Sequence, residues 1–269
     1  MVSNTPSLHY DVAKLLLEYH ADVNVRDSTG KRCRGAGKSS HLIRLLIDAG
    51  ADVNAAYKSG ETPFYIACFK GLESVVKKML KCGAKVDGNS VRKLPLNAAC
   101  RHKYMPVVQL LLTNGANPNL QEEGCDSRYR RSFPLHIAAA GRNSELAEFL
   151  LKHGADVDVV DTDGNTALHH AIEYYTRRIR KSRSPYSDDC RNAMSVVDIL
   201  LENKANVNTV NNSGDTPLYL AAATGLLDIV CRMLEECGGN PNKGSPTKCP
   251  LVKACLMRNA KLVDALLKH

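Results

Sequence analysis

A five-residue phrase returns along this chain at nearly constant intervals, and it constrains the fold more than any other feature. The phrase is Gly-Ala-Asp-Val-Asn or a close variant of it. Its copies occupy residues 20–24, 50–54, 83–87, 115–119, 154–158, 204–208 and 238–242. Asn54 and Asp87 are 33 positions apart, and Asp87 and Asn119 are 32 positions apart. Such a period predicts an array of small repeated structures rather than one globular core.

A second phrase recurs together with the first and begins 7 or 8 positions after it, except after Asn119, where the interval is 14. It follows the pattern Thr-Pro-Leu-His-x-Ala and occurs, with substitutions, at residues 62–67, 94–99, 133–138, 166–171, 216–221 and 249–254. The chain therefore resembles the ankyrin-repeat proteins, whose repeat carries this pattern near its start. The resemblance covers residues 55–269 well and residues 1–54 in part. It implies an all-α fold, an ankyrin-repeat solenoid of helix–loop–helix repeats joined by hairpin-like turns.

The chemistry of each repeat agrees with that fold. Pro in the first turn of a helix loses no hydrogen bond, because the N–H it lacks would have no partner inside the helix. The preceding Thr can accept a hydrogen bond from the helix backbone. Leu72, Val75 and Val76 then fall at helical spacing and predict a second helix with one apolar face. The Gly that opens the five-residue phrase predicts a left-handed helix end.

We interpret residues 1–269 as one array. Residues 1–54 hold two degenerate or incomplete repeats, and recognisable repeats span 55–87, 88–119, 120–158, 159–208, 209–242 and 243–269. Uneven spacing of the phrases predicts insertions within 120–132 and within 175–194. The Gly-Lys-Ser run that ends at Ser39 is not a phosphate-binding loop, because Arg32 stands where that motif needs its first Gly.

Both insertions contain basic residues, and the second is net basic. The first contains Arg128, Arg130 and Arg131, and the second contains six basic and two acidic residues. A basic run of this kind is typical of a nuclear-import signal, a nucleic-acid contact or a contact with an acidic partner. Ser182 and Ser184 in the second insertion are predicted phosphorylation sites, where phosphate would offset much of the charge. The alternative is a disordered, solvated loop.

The ten cysteines are predicted to be reduced. Cys68, Cys100 and Cys255 share one repeat position, which we expect to be a core position. Stacked helices lie about 8–10 Å apart, whereas a disulfide needs Cα atoms within about 7 Å. No Cys-x-x-Cys pair occurs, so neither a zinc site nor another metal or cofactor is predicted. His136 and His169 fill the His position of the second phrase, and the resemblance implies that each bonds the adjoining turn.

The ankyrin resemblance also implies where a partner binds. In that family the concave face consists of turn tips and the exposed side of each first helix. Transferred position by position, the predicted partner-binding residues are Lys58, Glu61, Phe69, Lys70, Lys93, Arg101, His102, Arg128, Arg130, Arg131, Tyr174, Leu256 and Met257. Phe69, Arg101, His102 and Tyr174 are expected to form one row. The alternative is that neighbouring loops cover several of them.

The sequence favours a non-catalytic function. It contains no complete catalytic constellation, no secretory leader after Met1, and no apolar run near the roughly 20 residues that cross a bilayer. We therefore predict a protein-interaction module or scaffold, cytoplasmic or nuclear, that binds an acidic or phosphorylated segment of another protein. The apolar, uncapped end of the chain predicts that it belongs to a longer protein. Two alternatives stay open: nucleic-acid binding through 175–194, and a targeting domain of a larger enzyme whose catalytic domain lies outside this chain.

Overall fold

The computed structural model of the protein divides into two compact units, Met1–Asn117 (unit 1) and Pro118–His269 (unit 2). It describes residues 40–56, 60–123, 133–182, 188–245 and 247–269, with side chains throughout except at 40–42 and 178–193. In these ranges every regular element is an α-helix. Predictions for residues 1–39 lie outside the described residues, and the limits of the individual repeats stay predictions.

The helices come in pairs. The first helix of a pair begins at the Thr-Pro phrase, and the second helix ends just before the Gly-Ala phrase. Unit 1 contains α1 (Ser40–Asp48), α2 (Pro63–Phe69), α3 (Glu73–Lys81), α4 (Pro95–Arg101) and α5 (Met105–Thr113). Unit 2 contains α6 (Pro134–Ala140), α7 (Ser144–Lys152), α8 (Ala167–Ser182), α9 (Asp188–Glu202), α10 (Pro217–Thr224), α11 (Leu227–Glu235), α12 (Pro250–Leu256) and α13 (Ala260–Leu267).

The first helices begin where the sequence predicts. The backbone N–H of Tyr65 donates to Thr62 Oγ1 at 3.0 Å, and Thr216 caps α10 in the same way. The second helices end in the left-handed conformation predicted for the Gly position. In α3 the turn closes through Gly83, whose φ is +82°, and the next N–H donates to the carbonyl of Met79 at 3.0 Å. Both predicted signals are therefore confirmed.

Each unit buries a core of small and branched side chains between successive helix pairs. In unit 1, α2 packs on α4, and α3 packs on α1 and α5. In unit 2, α6, α8, α10 and α12 pack in succession, while α7 packs on α9 and α11 on α13. Small residues such as Ala98 and Ala99 are fully buried and let first helices approach closely. Larger side chains such as Phe64 and Met79 fill the remaining space.

A ladder of side-chain amides and carboxylates, which was not predicted, links consecutive repeats within each unit. The last residue of each Gly-Ala phrase accepts a hydrogen bond from the backbone of the next phrase. Asn54 Oδ1 accepts from the N–H of Lys85 at 2.8 Å, and Asn208 Oδ1 accepts from the N–H of Asn240 at 2.7 Å. The Asn208 side chain also donates to the carbonyl of Gly238 at 2.8 Å. The recurrence of Asn or Asp at this position was the available signal.

The second insertion is helical in its described parts, so the interpretation of 175–194 as a loop is wrong there. α8 has 16 residues and α9 has 15, against 7 to 9 in the other helices. Tyr175 occupies the position where Gly71 and Gly225 turn the chain in other repeats, and it continues the helix instead. Its side chain is buried and packs against Met194 and Leu226. Residues 183–187 lie outside the described residues.

One of the cysteine predictions is also wrong. Cys68 and Cys100 are buried, as predicted, and burial raises the pKa of both thiols far above the usual value. Cys255, at the equivalent position of α12, is exposed. Within the described residues α12 packs on α10 and α13, and neither of these helices covers Cys255. The seven cysteines whose side chains the structure describes are all free thiols.

Candidate partner-binding surface

Four rings of unit 1 form a continuous series that we call the aromatic row: Tyr65, Phe69, His102 and Tyr104. Tyr65 and Phe69 stack with centroids 6.2 Å apart, and His102 meets Phe69 edge-on at 4.5 Å. Tyr104 stacks on the other side of His102 at 5.7 Å. Tyr65 is buried, whereas Phe69 is 44% exposed and His102 is exposed. The row therefore starts in the core at Tyr65, is exposed at Phe69 and His102, and ends at the half-buried Tyr104.

A turn tip supplies charge at the buried end of the row. The ammonium of Lys93 lies 5.5 Å from the centroid of the Tyr65 ring, a cation–π distance, and 3.5 Å from a carboxylate oxygen of Glu61. About a third of each charged side chain is exposed. Both residues were predicted to contact a partner. The structure shows that they already contact each other, and their outer surfaces remain accessible.

Helix geometry explains why the outer end of the row is exposed. Phe69 is the last residue of α2, one position beyond the fully buried Cys68. Gly71 then turns the chain at φ +68°, and a Cβ there would lie 2.8 Å from the ring of Tyr104. A glycine is therefore needed for both the backbone angle and the approach of the ring. This packing holds Tyr104 beside His102.

The structure brings together part of the predicted row. Phe69 and His102 are in contact, Lys70 is exposed beside Phe69, and Arg101 is half-buried. Tyr104 was missed, although its position, filled by Leu or Asn in other repeats, offered a signal. Predicted residues that lie outside the described side chains are Lys58, Arg128, Arg130, Arg131, Ser182 and Ser184.

In unit 2 the predicted residues fall in two places. Tyr174 is half-buried in α8, and the guanidinium of Arg142 lies over its ring, 4.9 Å from the centroid. Arg142 has a φ of +55°, in the left-handed region. Leu256 and Met257 stand at the end of α12, where they are 74% and 40% exposed. The expected single row with Tyr174 stays a prediction, since Tyr174 belongs to a different unit from Phe69 and His102.

Two buried histidines of unit 2 hold turns in place, as predicted from the resemblance. His136 Nε2 donates to the carbonyl of Val159, and His169 Nε2 donates to the carbonyl of Asp215, both at 3.1 Å. The other ring nitrogen of each histidine accepts a backbone N–H at the start of its own helix. Each imidazole therefore bridges two backbone segments in its neutral form. This is a structural role, and it leaves no free ring nitrogen for proton transfer.

A third histidine connects this pair to a carboxylate. His170 Nε2 donates to Asp161 Oδ2 at 2.7 Å, and its ring meets that of His136 at 5.3 Å. Burial, reinforced by the nearby His170, lowers the pKa of His136 to about 4. Burial also lowers the pKa of His169. Burial tends to raise the pKa of Asp161, but hydrogen bonds from His170 and Asn165 outweigh it and lower that pKa.

The net charge of the protein is concentrated in one unit. Residues 1–117 contain 17 lysines and arginines against 9 acidic residues, whereas residues 118–269 contain 19 of each. The formal charge of +8 therefore belongs to unit 1. The basic insertion at 175–194 is balanced by acidic residues elsewhere in unit 2. Charge thus distinguishes the unit that carries the aromatic row.

Two kinds of site are absent from the described part of the chain. None of its helices is both long enough and apolar enough to cross a membrane. Among the same residues, no group of three or more His, Cys, Asp or Glu side chains is placed to hold a metal ion.

Stacked helix pairs that present side chains at helix ends and turn tips define an α-helical repeat protein. Comparison with family models gives the family. "Ankyrin repeats (3 copies)" matches residues 33–122 and 189–269, "Ankyrin repeats (many copies)" matches 125–171, and "Ankyrin repeat" matches 8–28 and 163–212. The chain belongs to the ankyrin-repeat family, and the predicted all-α ankyrin-repeat fold is confirmed. Ankyrin repeats are in general non-catalytic modules for protein–protein interaction.

The curated relatives are longer ankyrin-repeat proteins. B-cell lymphoma 3 protein of Homo sapiens is 28% identical over 229 residues, which cover 84% of this chain and 45% of that protein. Ankyrin repeat and SOCS box protein 16 of Homo sapiens is 35% identical over 173 residues, 61% of this chain and 38% of that protein. Putative palmitoyltransferase ZDHHC13 of Danio rerio is 30% identical over 193 residues, 71% of this chain and 26% of that protein. The chain spans less than half the length of each of these relatives.

Proposed function

We propose that this chain is a non-catalytic binding module that holds an acidic or phosphorylated segment of another protein. We take the first-helix ends and turn tips as the binding surface, because the concave face of ankyrin-repeat proteins is built from these parts. The observation that carries the proposal is the position of Phe69, a large apolar side chain that is 44% exposed yet fixed edge-on against His102 at 4.5 Å.

Such a ring is a favourable anchor for a partner. Exposed aromatic residues that are already held in one orientation lose little conformational entropy on binding. In many interfaces a few anchors of this kind supply most of the binding energy, about 2 kcal/mol or more each when they are truncated. Leu256 and Met257 in unit 2 are exposed apolar side chains at the equivalent helix end. We therefore propose these two residues as an anchor of unit 2, separate from Phe69 of unit 1.

The preference for an acidic segment follows from the charge. The chain carries a formal +8, and Lys70 is exposed directly beside Phe69. Cationic side chains around an apolar anchor raise the association rate of an acidic partner, and salt weakens this effect.

Two other proposals accompany this one. We propose a cytoplasmic location, with nuclear import through 175–194 as the alternative, and the distribution of fluorescent fusions with and without those residues would test it. The second proposal is that this chain is a targeting domain of a larger enzyme. One relative is named a putative palmitoyltransferase, but the match covers 26% of it and consists of repeats.

The test begins with selection of short peptides from a random displayed library on the purified chain. Affinities of the selected peptides are then measured by fluorescence anisotropy for the wild type, for Phe69→Ala and for Val160→Ala. Val160 is a matched control, because it is 45% exposed but precedes the turn tip at 162–163 and lies outside the first-helix ends and turn tips of the proposal.

We expect acidic peptides to be enriched, and Phe69→Ala to weaken them about tenfold or more while Val160→Ala has no effect. Single-stranded RNA and DNA are measured in parallel. If nucleic acid binds with a steep salt dependence and no peptide is enriched, the chain is a nucleic-acid-binding protein and the proposal is wrong.

A further inference from the structure

We infer that the partner docks on unit 1, and that it is an acidic segment with one large apolar side chain seated against Phe69 and His102. This inference rests on the proposed function and narrows it to one unit and one chemistry. Three observations carry it: the charge of unit 1, a lysine held in a strained backbone conformation, and the rigid backing of the Phe69 ring.

The first observation is the partition of charge. Unit 1 has an excess of eight basic residues, whereas unit 2 has equal numbers of both signs. An acidic partner is therefore attracted to unit 1 and has no net attraction to unit 2. The predicted basic insertion at 175–194 does not change this, because it lies in the neutral unit.

The second observation is the backbone of Lys103. Lys103 is exposed, directly follows His102 and has a φ of +57°. It fills the repeat position that Gly71 fills after α2. A side chain in the left-handed region costs roughly 1 kcal/mol relative to glycine. Arg142 and Arg258 share this conformation at the same repeat position of unit 2. In unit 1 the basic residue directly follows His102, so it adds a cation next to the aromatic row.

The third observation is how Phe69 is supported. Tyr65 stacks behind it from the core, and His102 packs on it edge-on, with Tyr104 behind the imidazole. The ring therefore keeps its orientation while nearly half of its surface faces solvent. A leucine or aromatic side chain of the partner would cover that surface without reordering the protein. An acidic segment without such a side chain would leave the Phe69 ring exposed to water.

The arrangement of the cations favours carboxylates over a phosphate. Lys70 caps the C-terminus of α2 and Lys103 follows the cap of α4, so the two lysines lie at the ends of successive first helices rather than on one loop. A phosphate group binds best where several donors converge on one point. Cations spaced along a row suit instead a run of Asp and Glu residues. We therefore assign the site to a carboxylate-rich segment.

The experiment uses the full chain and four fluorescent peptides. The first alternates Asp and Glu around one central Leu, the second has Ser in place of the Leu, the third has Lys in place of every acidic residue, and the fourth replaces part of the acidic residues by phosphoserine. We expect the Leu peptide to bind about tenfold more tightly than the Ser peptide, and the Lys peptide not to bind. The phosphoserine peptide should bind no better than the Leu peptide.

Two variants locate the site. Phe69→Ala should lose the same factor as the Leu-to-Ser change in the peptide, and the two changes together should lose no more than either alone, because they remove one contact. Lys103→Gly should slow association at low salt several-fold and leave the fold intact or more stable. Arg258→Gly is its matched control. Arg258 has a φ of +54° at the same repeat position of unit 2, and its replacement should leave binding unchanged.

The inference fails if Leu and Ser peptides bind equally, if the phosphoserine peptide binds much more tightly, or if Lys103→Gly and Arg258→Gly have equal effects. Selected library peptides separate this failure from that of the proposed function. Peptides that depend on Tyr174 or Leu256 and not on Phe69 would overturn the assignment to unit 1 and leave a protein-binding module. Enrichment of no peptide at all, together with tight RNA or DNA binding, would overturn both.

Discussion

Acidification should destabilise unit 2 through His136, and the structure gives both the sign and the size of the effect. The imidazole is buried, with its pKa lowered from the usual 6.5 to about 4. The unfolded chain therefore binds a proton at a higher pH than the folded chain does. Stability is highest above the unfolded pKa and falls as the pH drops from about 6.5 toward 4.

The magnitude follows from linkage. Each pKa difference of one unit is worth about 1.4 kcal/mol once the unfolded state is fully protonated. Between about pH 7 and about pH 5 the loss from His136 alone is therefore about 2 kcal/mol. Asp161 does not oppose this in the same window, because its lowered pKa keeps it ionised there. His169, with a pKa lowered by burial, acts in the same direction and adds to the loss in the wild type.

A variant isolates the contribution of His136. His136→Asn places in unit 2 the residue that fills the equivalent position in unit 1, where Asn97 is buried. The variant loses the hydrogen bond to the carbonyl of Val159 and is expected to be less stable at neutral pH by about 1–3 kcal/mol. It no longer titrates at this position. The stability gap between wild type and variant should therefore shrink by about 2 kcal/mol as the pH falls from about 7 to about 5.

The assay is urea unfolding at several pH values, followed by circular dichroism, with the imidazole signals of the wild type recorded by NMR over the same range. The His136 signal is identified by its absence in the variant. A gap that stays constant over this pH range would refute the reasoning. So would a His136 signal that titrates near the ordinary histidine pKa, since the bridge between two backbone segments would then tolerate the proton.

Three substitutions test the backbone and ladder positions, each by urea or thermal unfolding. Lys204→Gly should stabilise unit 2 by about 0.5–1 kcal/mol, because Lys204 has a φ of +62° where other repeats have Gly. Gly154→Ala, at the same repeat position with a φ of +83° and open space around its Cβ, should destabilise by about 1–2 kcal/mol from backbone strain alone. Asn208→Asp should destabilise by about 1–2 kcal/mol, because it loses the bond to Gly238 and turns a carboxylate toward that carbonyl. Equal stability of any of these variants and the wild type would contradict the corresponding assignment.

The helix pairs could be predicted from the sequence because their signals are local. Pro63 can start a helix but not continue one, and Thr62 can cap it from one position before. Gly83 adopts at no steric cost the left-handed angle that ends α3. Each signal acts within a few residues of the chain, so its meaning does not depend on what lies across the fold. The confirmed element starts and ends are of this kind.

The parts that were not predicted depend on contacts between distant residues. Tyr175 replaces a turn residue, but its burial against Met194 requires that α9 lengthen together with α8. Cys255 occupies a core position by sequence, but its burial depends on which helices pack over α12, and the local sequence does not show that. The aromatic row needs the ring of Tyr104 to pack on the turn at Gly71. The identity of these two residues does not predict that contact.

The distribution of charge shows a different limit on what can be predicted from the sequence. The balance of each half can be counted from the sequence, but a count needs a boundary, and the boundary near Asn117 comes from the structure. Without that boundary, the insertion at 175–194 is the strongest local excess of positive charge in the sequence. With it, that excess is balanced within unit 2 and the surplus falls on unit 1. The relevant length scale for attracting a partner is the folded unit rather than the segment.

The positions that hold the repeats together and those that are proposed to bind a partner are separate in each repeat. His169 and Asn208 point their polar atoms at the backbone of a neighbouring repeat, where a change costs stability. Phe69 and His102 lie at helix ends, so their surfaces can vary without breaking those bonds. Lys103 is the exception, because it affects both properties: its backbone angle disfavours the fold while its charge favours an acidic partner. A gain in stability and a loss of binding from the single change Lys103→Gly would therefore show where stability and recognition compete in this array.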